Sequence, residues 1–233
     1  MPIMTQDSWK MFNEIASTYD RINRILSFGM DRGWRRKVAQ NLPAKKNLRL
    51  LDLATGTGDQ LISLFEQGAS IHKASGIDLA KEMLLIAKDK VSLKLYRDKI
   101  DLICADAQKL PFGDNTFDAA TFSFGIRNVP SPLLALQEIH RTLKPQGKCL
   151  ILEFSLPPKP IRSAYLLYLR HILPRIGNFM SRQEIAYTYL NKTIETFPSG
   201  DAFASLMRQA SFHKIALHPM ALGAVTLYIG TKT

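Results

Sequence analysis

A glycine-spaced turn follows the first long apolar run of the chain, in the segment LLDLATGTGD at 50–59. Gly56 and Gly58 lack side chains, so backbone N–H groups in this turn can approach a ligand closely. Asp52 and Asp59 flank the turn and are suited to a ligand ammonium group, because a carboxylate stabilises a nearby positive charge. These residue types and this spacing predict a site for a nucleotide-like cofactor.

Two further acids decide which cofactor the turn is expected to hold. Asp78 comes 20 residues after Gly58 and is suited to a pair of ribose hydroxyls, while Asp106 and Ala107 are suited to an adenine edge. A dinucleotide fingerprint needs a third small residue where this chain has Leu61, so NAD is disfavoured. Any one acid alone is as easily a helix cap or a loop residue. The set together predicts S-adenosyl-L-methionine (SAM).

The elements around the turn alternate between strands and helices, which is typical of a parallel sheet covered by helices on both faces. The apolar runs predict strands at 48–54, 73–78, 99–106, 116–125 and 147–155, and the helical spacing predicts helices at 59–66, 79–91 and 132–144. The sequence thus predicts an α/β fold in which each strand end presents a loop to the ligand.

Additional elements flank this alternation. Helices at 7–18 and 34–40 predict an N-terminal helical cap over about 7–40, and helices at 161–172 and 181–196 predict a helical insertion over about 157–198, after the fifth strand. A last helix at 201–210 precedes two β-rich runs, 214–220 and 224–232, expected to close the sheet as an antiparallel pair. We expect one domain over 1–233.

The composition is that of an ordinary globular protein apart from its charge. The 233 residues are 46% hydrophobic and 22% charged, with a formal net charge of +11. Residues 1–49 carry ten Lys/Arg against four Asp/Glu, and residues 157–200 carry six against two. The two cysteines lie in apolar runs, and neither a signal peptide nor a membrane-spanning run is expected. A cytoplasmic protein follows, with an anionic membrane surface among the partners that its charge suits.

Six sequence blocks extend from nearly one end of the chain to the other. They are FNEIASTYDRINRILSFGMDRGWRR (12–36), LLDLATGTGD, SFGIRNV (123–129), RTLKPQG (141–147), LEFSLP (152–157) and YTYLNKTIETFP (187–198). Together they resemble the ubiquinone/menaquinone biosynthesis C-methyltransferase (demethylmenaquinone methyltransferase) family. The chain departs from the family pattern at Asp31, Gln146, Ala221 and Tyr228. None of these departures falls on a predicted cofactor position.

This resemblance implies a class I methyltransferase sheet, Rossmann-like and mostly parallel with an antiparallel C-terminal strand, that uses SAM. It implies C-methylation of a reduced prenylated quinone ring, with demethylmenaquinol converted to menaquinol as the expected reaction. It also implies SAM contacts at Thr57, Asp78, Asp106, Ala107 and Ser123; we add Leu79, which follows Asp78 directly. No metal is expected.

Four residues are candidates for the methyl-transfer chemistry. Arg127 and Asn128 follow the fourth strand, where Arg127 suits a developing phenolate and Asn128 suits a quinol oxygen. Tyr19 and Asn23 lie four residues apart on one helical face and are expected to close over the site. The alternatives are an Arg127 that only pairs with a neighbouring acid, and ordinary helix packing for the other pair. No histidine suggests itself as the base.

The predicted helix within 161–177 suits the isoprenoid tail of such an acceptor. Ile161, Tyr165, Leu166, Leu169, Ile172 and Leu173 are interspersed with Arg162, Arg170 and Arg175. This pattern fits either a helix lying on an anionic membrane or a lid packed on the core. A nucleic-acid substrate is disfavoured, because the Pro-Pro-aromatic motif of amine methylation does not follow Ser123. Another lipophilic acceptor, a non-catalytic SAM-binding scaffold and a homo-oligomer stay open.

Overall fold

The computed structural model describes residues 8–172 and 184–233. Its centre is a seven-stranded sheet with the order β3-β2-β1-β4-β5-β7-β6. The strands are β1 (Leu48–Leu53), β2 (Ile71–Asp78), β3 (Ile100–Cys104), β4 (Phe117–Ser123), β5 (Leu143–Phe154), β6 (His213–Met220) and β7 (Val225–Thr231). Strands β1 to β5 pair in parallel, and β7 runs antiparallel to both β5 and β6. The mostly parallel sheet with an antiparallel C-terminal strand is confirmed.

Burial on both faces explains why the central strands read as continuous apolar runs. Adjacent residues Leu50 and Leu51 of β1 point to opposite faces, and both are fully buried in different hydrophobic clusters. Helices cover each face of the sheet, as the alternation predicts. They are α1 (Ser8–Leu26), α2 (Asp31–Gln40), α3 (Asp59–Glu66), α4 (Lys81–Ser92), α5 (Pro132–Thr142), α6 (Ile161–Leu167), α7 (Glu184–Thr196) and α8 (Asp201–Gln209).

The N-terminal helix is longer than the sequence predicts. The prediction ended at residue 18, whereas α1 continues to Leu26 because no glycine or proline interrupts it. It stops where Phe28 and Gly29 take left-handed backbone conformations, with φ of 50° and 75°. Ile15 and Ala16 of α1 pack in one cluster with Met83 of α4. The helix is thereby placed over the carboxyl ends of the parallel strands.

Other predicted boundaries need small corrections. Helix α5 ends two residues early, because the buried Leu143 already pairs with Phe117 in the sheet. Strand β3 ends at Cys104, so Asp106 lies in the following loop. Helix α2 begins at Asp31, three residues before the predicted start.

The insertion after β5 contains α6, which continues as a π-helical turn at Tyr168–Ile172. The helix predicted at 181–196 is confirmed from Glu184 onward. Asp7, Leu173, Arg175 and the predicted start at 181–183 lie outside the described residues. In the part of the chain that the structure describes, no helix is both long and apolar enough to cross a bilayer.

Candidate active site

The turn between β1 and α3 requires glycine at two positions. Gly56 and Gly58 have φ of 55° and 84°, a left-handed region that glycine adopts with little strain. A Cβ at Gly58 would also lie 3.3 Å from the Cβ of Ala87. The Gly56 N–H donates a 2.8 Å hydrogen bond to Asp78 Oδ2. Conformation and close packing both explain the predicted turn.

Asp78 lies at the end of β2, where it links the glycine turn to the next helix. Besides the bond from Gly56, its Oδ1 accepts a 2.8 Å hydrogen bond from the Ala80 N–H. Burial raises the pKa of this carboxyl, and the backbone N–H groups bonded to it limit the rise. The carboxylate lies on the wall of a cavity, which is the position expected for an acceptor of ribose hydroxyls.

This cavity, which we call the cofactor cavity, has a volume of about 410 Å³. Six of the predicted cofactor residues line it, namely Gly56, Asp78, Leu79, Asp106, Ala107 and Ser123. Asn128 lines it as well, and among the described residues its buried Oδ1 has no hydrogen-bond partner. The volume is in the range of ligand pockets, about 300–1,000 Å³. Size, acid placement and an unpartnered polar atom all fit a nucleoside-containing ligand such as SAM.

Asp52 lies beneath the turn and does not line the cavity. Its carboxylate accepts hydrogen bonds from the hydroxyls of Thr121, at 2.5 Å, and Thr55, at 2.7 Å. Burial raises the pKa of Asp52 to about 6, although these hydroxyls oppose the rise. The direct contact with an ammonium group that the spacing suggested therefore finds no support. Asp52 thus stabilises the start of the glycine turn through its hydrogen bond with Thr55.

Thr57 and Asp59 likewise bond to protein groups outside the cofactor cavity. The Thr57 hydroxyl donates to Asp20 Oδ1 of α1 at 2.6 Å, and Lys90 Nζ of α4 lies 2.7 Å from Asp59 Oδ1. Burial alone would raise the pKa of Asp59, but the hydrogen bond and charge of Lys90 hold it below its usual value. Asp59 is thus paired with Lys90, and its expected contact with a ligand ammonium stays a prediction.

Ser123 ends β4 at the cofactor cavity and is connected to a second cavity by a glutamine. Its hydroxyl donates a 2.9 Å hydrogen bond to Gln60 Oε1, which also accepts from Arg35 Nη1 at 3.5 Å. Gln60 Nε2 and Arg35 Nε are buried without a partner among the described residues. These three residues connect the two cavities.

The second cavity, which we call the acceptor cavity, has a volume of about 330 Å³ and a largely apolar wall. It shares Phe12, Tyr19 and Phe124 with the cofactor cavity, so the two are adjacent. Helices α1, α2 and α7 and the segment 165–169 contribute to its wall, as does the turn before β7. Its other aromatic residues are Phe28, Trp34, Phe154, Tyr165, Tyr168 and Tyr189.

A buried ion pair lies at the acceptor cavity. Arg127 Nη1 is 2.6 Å from Glu153 Oε1 and donates a 2.7 Å hydrogen bond to the Phe124 carbonyl. Burial raises the pKa of Glu153, whereas the Arg127 charge lowers it. Arg127 thus pairs with a neighbouring acid, and its role in the chemistry stays a prediction. Arg127 nevertheless lines the cavity, and its Nε is buried without a partner among the described residues.

Tyr19 and Asn23 both line the acceptor cavity, one helical turn apart on α1. Burial raises the pKa of the Tyr19 hydroxyl, and a hydrogen bond with Asn23 opposes this rise. Tyr19 lines both cavities, and Asn128 lines the cofactor cavity. Each of the four candidate catalytic residues thus lines at least one of the two adjacent cavities, while their roles stay predictions.

Comparison with known proteins identifies the chain's family. The model of the ubiE/COQ5 methyltransferase family matches residues 3–232. The chain belongs to this family. It is 41% identical over 223 residues to the ubiquinone/menaquinone biosynthesis C-methyltransferase UbiE of Geobacter sp. (strain M21), covering 95% of this chain and 94% of that protein. It is 37% identical over 223 residues to a demethylmenaquinone methyltransferase of Porphyromonas gingivalis, covering 95% and 91%.

Solved structures agree with the fold of this methyltransferase. A SAM-dependent methyltransferase from Thermotoga maritima matches with a TM-score of 0.67 at 20% identity, covering 97% of this chain and 99% of that one. One from Aquifex aeolicus matches with a TM-score of 0.61 at 20% identity, covering 85% and 89%. This methyltransferase therefore has the class I fold that the sequence predicts, and its cofactor is SAM.

Sequence reasoning missed several residues of the site. Phe124 lines both cavities and has a left-handed φ of 59°, but a phenylalanine directly after a strand gives no signal of this role. Arg35 and Gln60 connect the cavities through contacts between residues 25 positions apart. The only available signal was a polar Gln60 on the side of α3 that carries Leu61 and Leu64 into the core.

Proposed function

We propose that this protein methylates a ring carbon of a reduced prenylated quinone, with demethylmenaquinol as the acceptor and menaquinol as the product. The observation that carries the proposal is an aromatic acceptor cavity that adjoins the cofactor cavity of a member of the ubiE/COQ5 methyltransferase family. A quinol ring is flat and apolar with two hydroxyls, so it needs aromatic walls and a few polar groups. Both are present in the acceptor cavity.

SAM, when bound, supplies the sulfonium methyl group. Asp78, Asp106 and Ala107 would hold its nucleoside, and the backbone at Gly56 would hold its amino-acid part. In our proposal the main task of the protein is to bring the ring carbon in line with this methyl group, because positioning supplies much of the rate in such reactions. Tyr19 and Phe124 are suited to that task because they lie where the two cavities meet.

Arg127 is proposed to stabilise the quinol oxygen as it loses its proton. A ring oxygen with more negative charge increases the electron density at the ring carbon to be methylated. The buried guanidinium places a positive charge beside the cavity, where low polarity strengthens its effect on a phenolate. Its Nε, which has no partner among the described residues, is a donor available for this contact. Asn128 is proposed to bond a second oxygen, while Tyr19 and Asn23 close the site.

The isoprenoid tail is proposed to leave along the apolar side of the acceptor cavity formed by the insertion. Ile22, Leu169 and Ile194 form a buried cluster there, with Tyr165 and Leu190 packed against it. Tyr165 and Leu169 thus face inward, as the lid alternative for this segment requires. A tail that emerges from this side would place the protein at the inner face of the membrane as a peripheral protein. A homo-oligomer is compatible with this proposal.

Methyl transfer from labelled SAM to reduced demethylmenaquinone, and to a reduced prenylated methoxybenzoquinone that lacks the ring methyl group, in detergent, tests the function. We expect label in the naphthoquinol product. Label only in the benzoquinol product would change the assigned ring and leave the reaction class intact. Tight SAM binding with no label in either quinol would contradict the proposal, and would favour another lipophilic acceptor or a non-catalytic scaffold.

A further inference from the structure

Two large apolar side chains are exposed on tight turns. Phe28 is 75% exposed and Leu222 is 76% exposed, and they occupy left-handed conformations with φ of 50° and 55°. Such a conformation is costly for residues other than glycine and asparagine. Neither side chain packs in the core, so the stability of the fold does not explain why these residues are apolar. An exposed apolar cluster of this kind marks an interaction surface.

Both turns lie beside the acceptor cavity. Phe28 and Met30 line the cavity from the α1–α2 turn, and Ala221, next to Leu222, lines it from the turn before β7. Ile25, also exposed, accepts a 3.0 Å backbone hydrogen bond from Phe28 within the first turn. We call Ile25, Phe28, Met30 and Leu222 the apolar rim. The rim therefore combines turns distant in sequence around one cavity.

Basic residues flank the turns of the apolar rim along the chain. Residues 21–40 carry six Lys/Arg against one acid, Asp31, and that acid is buried and bonded to Arg24. Arg32 and Arg36 are exposed one turn apart on α2, and no salt bridge joins either to another residue of the described ranges. On the other side, the exposed Lys159 follows Pro158, which packs against the turn containing Leu222.

We propose that the apolar rim inserts into an anionic lipid bilayer, with Arg32, Arg36 and Lys159 at the headgroups. Apolar tips flanked by cations match the boundary between acyl chains and anionic headgroups, where each Lys/Arg near the surface adds to binding. The one acid of residues 21–40 is buried, so the exposed charge of that segment has a single sign, which suits a uniformly anionic surface. The reason for this membrane contact rests on the proposed function. With the apolar rim inserted, the acceptor cavity would face the bilayer that contains the prenylated quinol.

The first test measures sedimentation of the full chain with vesicles of phosphatidylcholine alone or mixed with phosphatidylglycerol. We expect binding to the mixed vesicles that weakens as salt is raised. The variant Phe28→Asn/Leu222→Asn introduces asparagine, which tolerates the left-handed backbone conformation. Its affinity for the mixed vesicles should fall at least about tenfold. Arg32→Gln/Arg36→Gln should lose roughly 25-fold, from about fivefold per charge near the lipid.

Matched control variants distinguish binding through the apolar rim from non-specific binding to vesicles. Leu95→Asn removes a leucine that is even more exposed than Leu222, in the connection between α4 and β3, and Lys46→Gln/Lys88→Gln removes two exposed charges that do not line the cavity. Both controls should bind vesicles like the parent chain, and all variants should keep the parent's melting temperature. Equal losses in rim and control variants, or binding to neither vesicle, would overturn the proposal. Retention of vesicle binding by Phe28→Asn/Leu222→Asn would do the same and indicate a protein partner for the rim.

A second measurement keeps this inference separate from the proposed function. Leu222→Asn should methylate a short-tailed, water-soluble demethylmenaquinol as well as the parent does, and should slow at least about fivefold on a long-tailed quinol embedded in mixed vesicles. Equal rates on both substrates would reject the rim and leave quinol methylation standing. Rim-dependent vesicle binding without methylation of any quinol would reject the proposed function and leave the docking surface standing.

Discussion

The Thr57 hydroxyl donates a 2.6 Å hydrogen bond to Asp20 Oδ1, joining the glycine turn to the N-terminal helix. Lys90 Nζ lies 2.5 Å from Asp20 Oδ2 and 2.7 Å from Asp59 Oδ1. Arg24 Nη2, one helical turn after Asp20, lies 3.9 Å from Asp59 Oδ2. Helix α1 lines both cavities. These contacts therefore couple the position of α1 to the glycine turn of the cofactor site.

Asp20→Asn should weaken SAM binding without abolishing folding. A hydrogen bond to a charged group contributes about 1.5–3 kcal/mol, and the partial exposure of Asp20 reduces this to about 1 kcal/mol. We therefore expect the KM for SAM to rise about fivefold, with a smaller change in kcat. Thr57→Val should give a similar rise, and the double variant little more than either. Glu14→Gln, an exposed change in the same helix, is the control. Additive effects of the two changes would show that they do not act through one contact.

Arg127→Gln should lower kcat by at least about 100-fold, the effect of removing one donor from a developing oxyanion. It also leaves Glu153 buried without its partner, which costs about 3–5 kcal/mol of folding free energy. The double variant Arg127→Gln/Glu153→Gln removes both charges and should recover much of that stability. We expect it to bind SAM normally, by calorimetry, and to stay inactive. Recovery of turnover together with stability would reduce Arg127 to a structural residue.

The sheet and the cofactor turn were predictable because their signals are local. Apolar runs with both faces covered, ended by Gly56 or by acids such as Asp78, define the strands and their ligand-facing ends. The partners of those residues were not predictable, since Asp20 meets Thr57 only after α1 docks on α4. Asp52 and Asp59 show the same limit, because their spacing suggests a ligand contact but gives no sign of their protein partners Thr121 and Lys90.

Asp52 should make the stability of this protein fall as pH rises through about 6. Its folded pKa of about 6 lies above the ordinary 3.8, so the folded state favours the protonated form. Its stabilising contribution is complete below about pH 4 and is lost as the pH rises through 6, amounting to about 3 kcal/mol. Asp52→Asn removes this titration. The free energy of unfolding of each protein is measured in urea at about pH 4 and about pH 7. Between these two pH values, the difference of Asp52→Asn minus parent should rise by about 3 kcal/mol in favour of the variant. A constant difference between the two proteins would mean that Asp52 ionises normally.

Gly125→Ala should disturb the packing in the wall of the cofactor cavity without straining the backbone. Its φ of −121° suits any residue, but a Cβ there would lie 2.5 Å from the Cβ of Ala54 and 2.6 Å from the Phe122 ring. Overpacking of this kind costs about 1–3 kcal/mol. We expect a lower melting temperature and a higher KM for SAM, because Ala54, Phe122 and Gly125 all line the cofactor cavity. Gly33→Ala is the matched control, since nothing lies within 4 Å of its added Cβ, and in helix α2 it should stabilise by up to about 1 kcal/mol. Equal melting temperatures for Gly125→Ala and Gly33→Ala would contradict this prediction. They would show that Ala54 and Phe122 can move apart to accept the added Cβ without loss of stability.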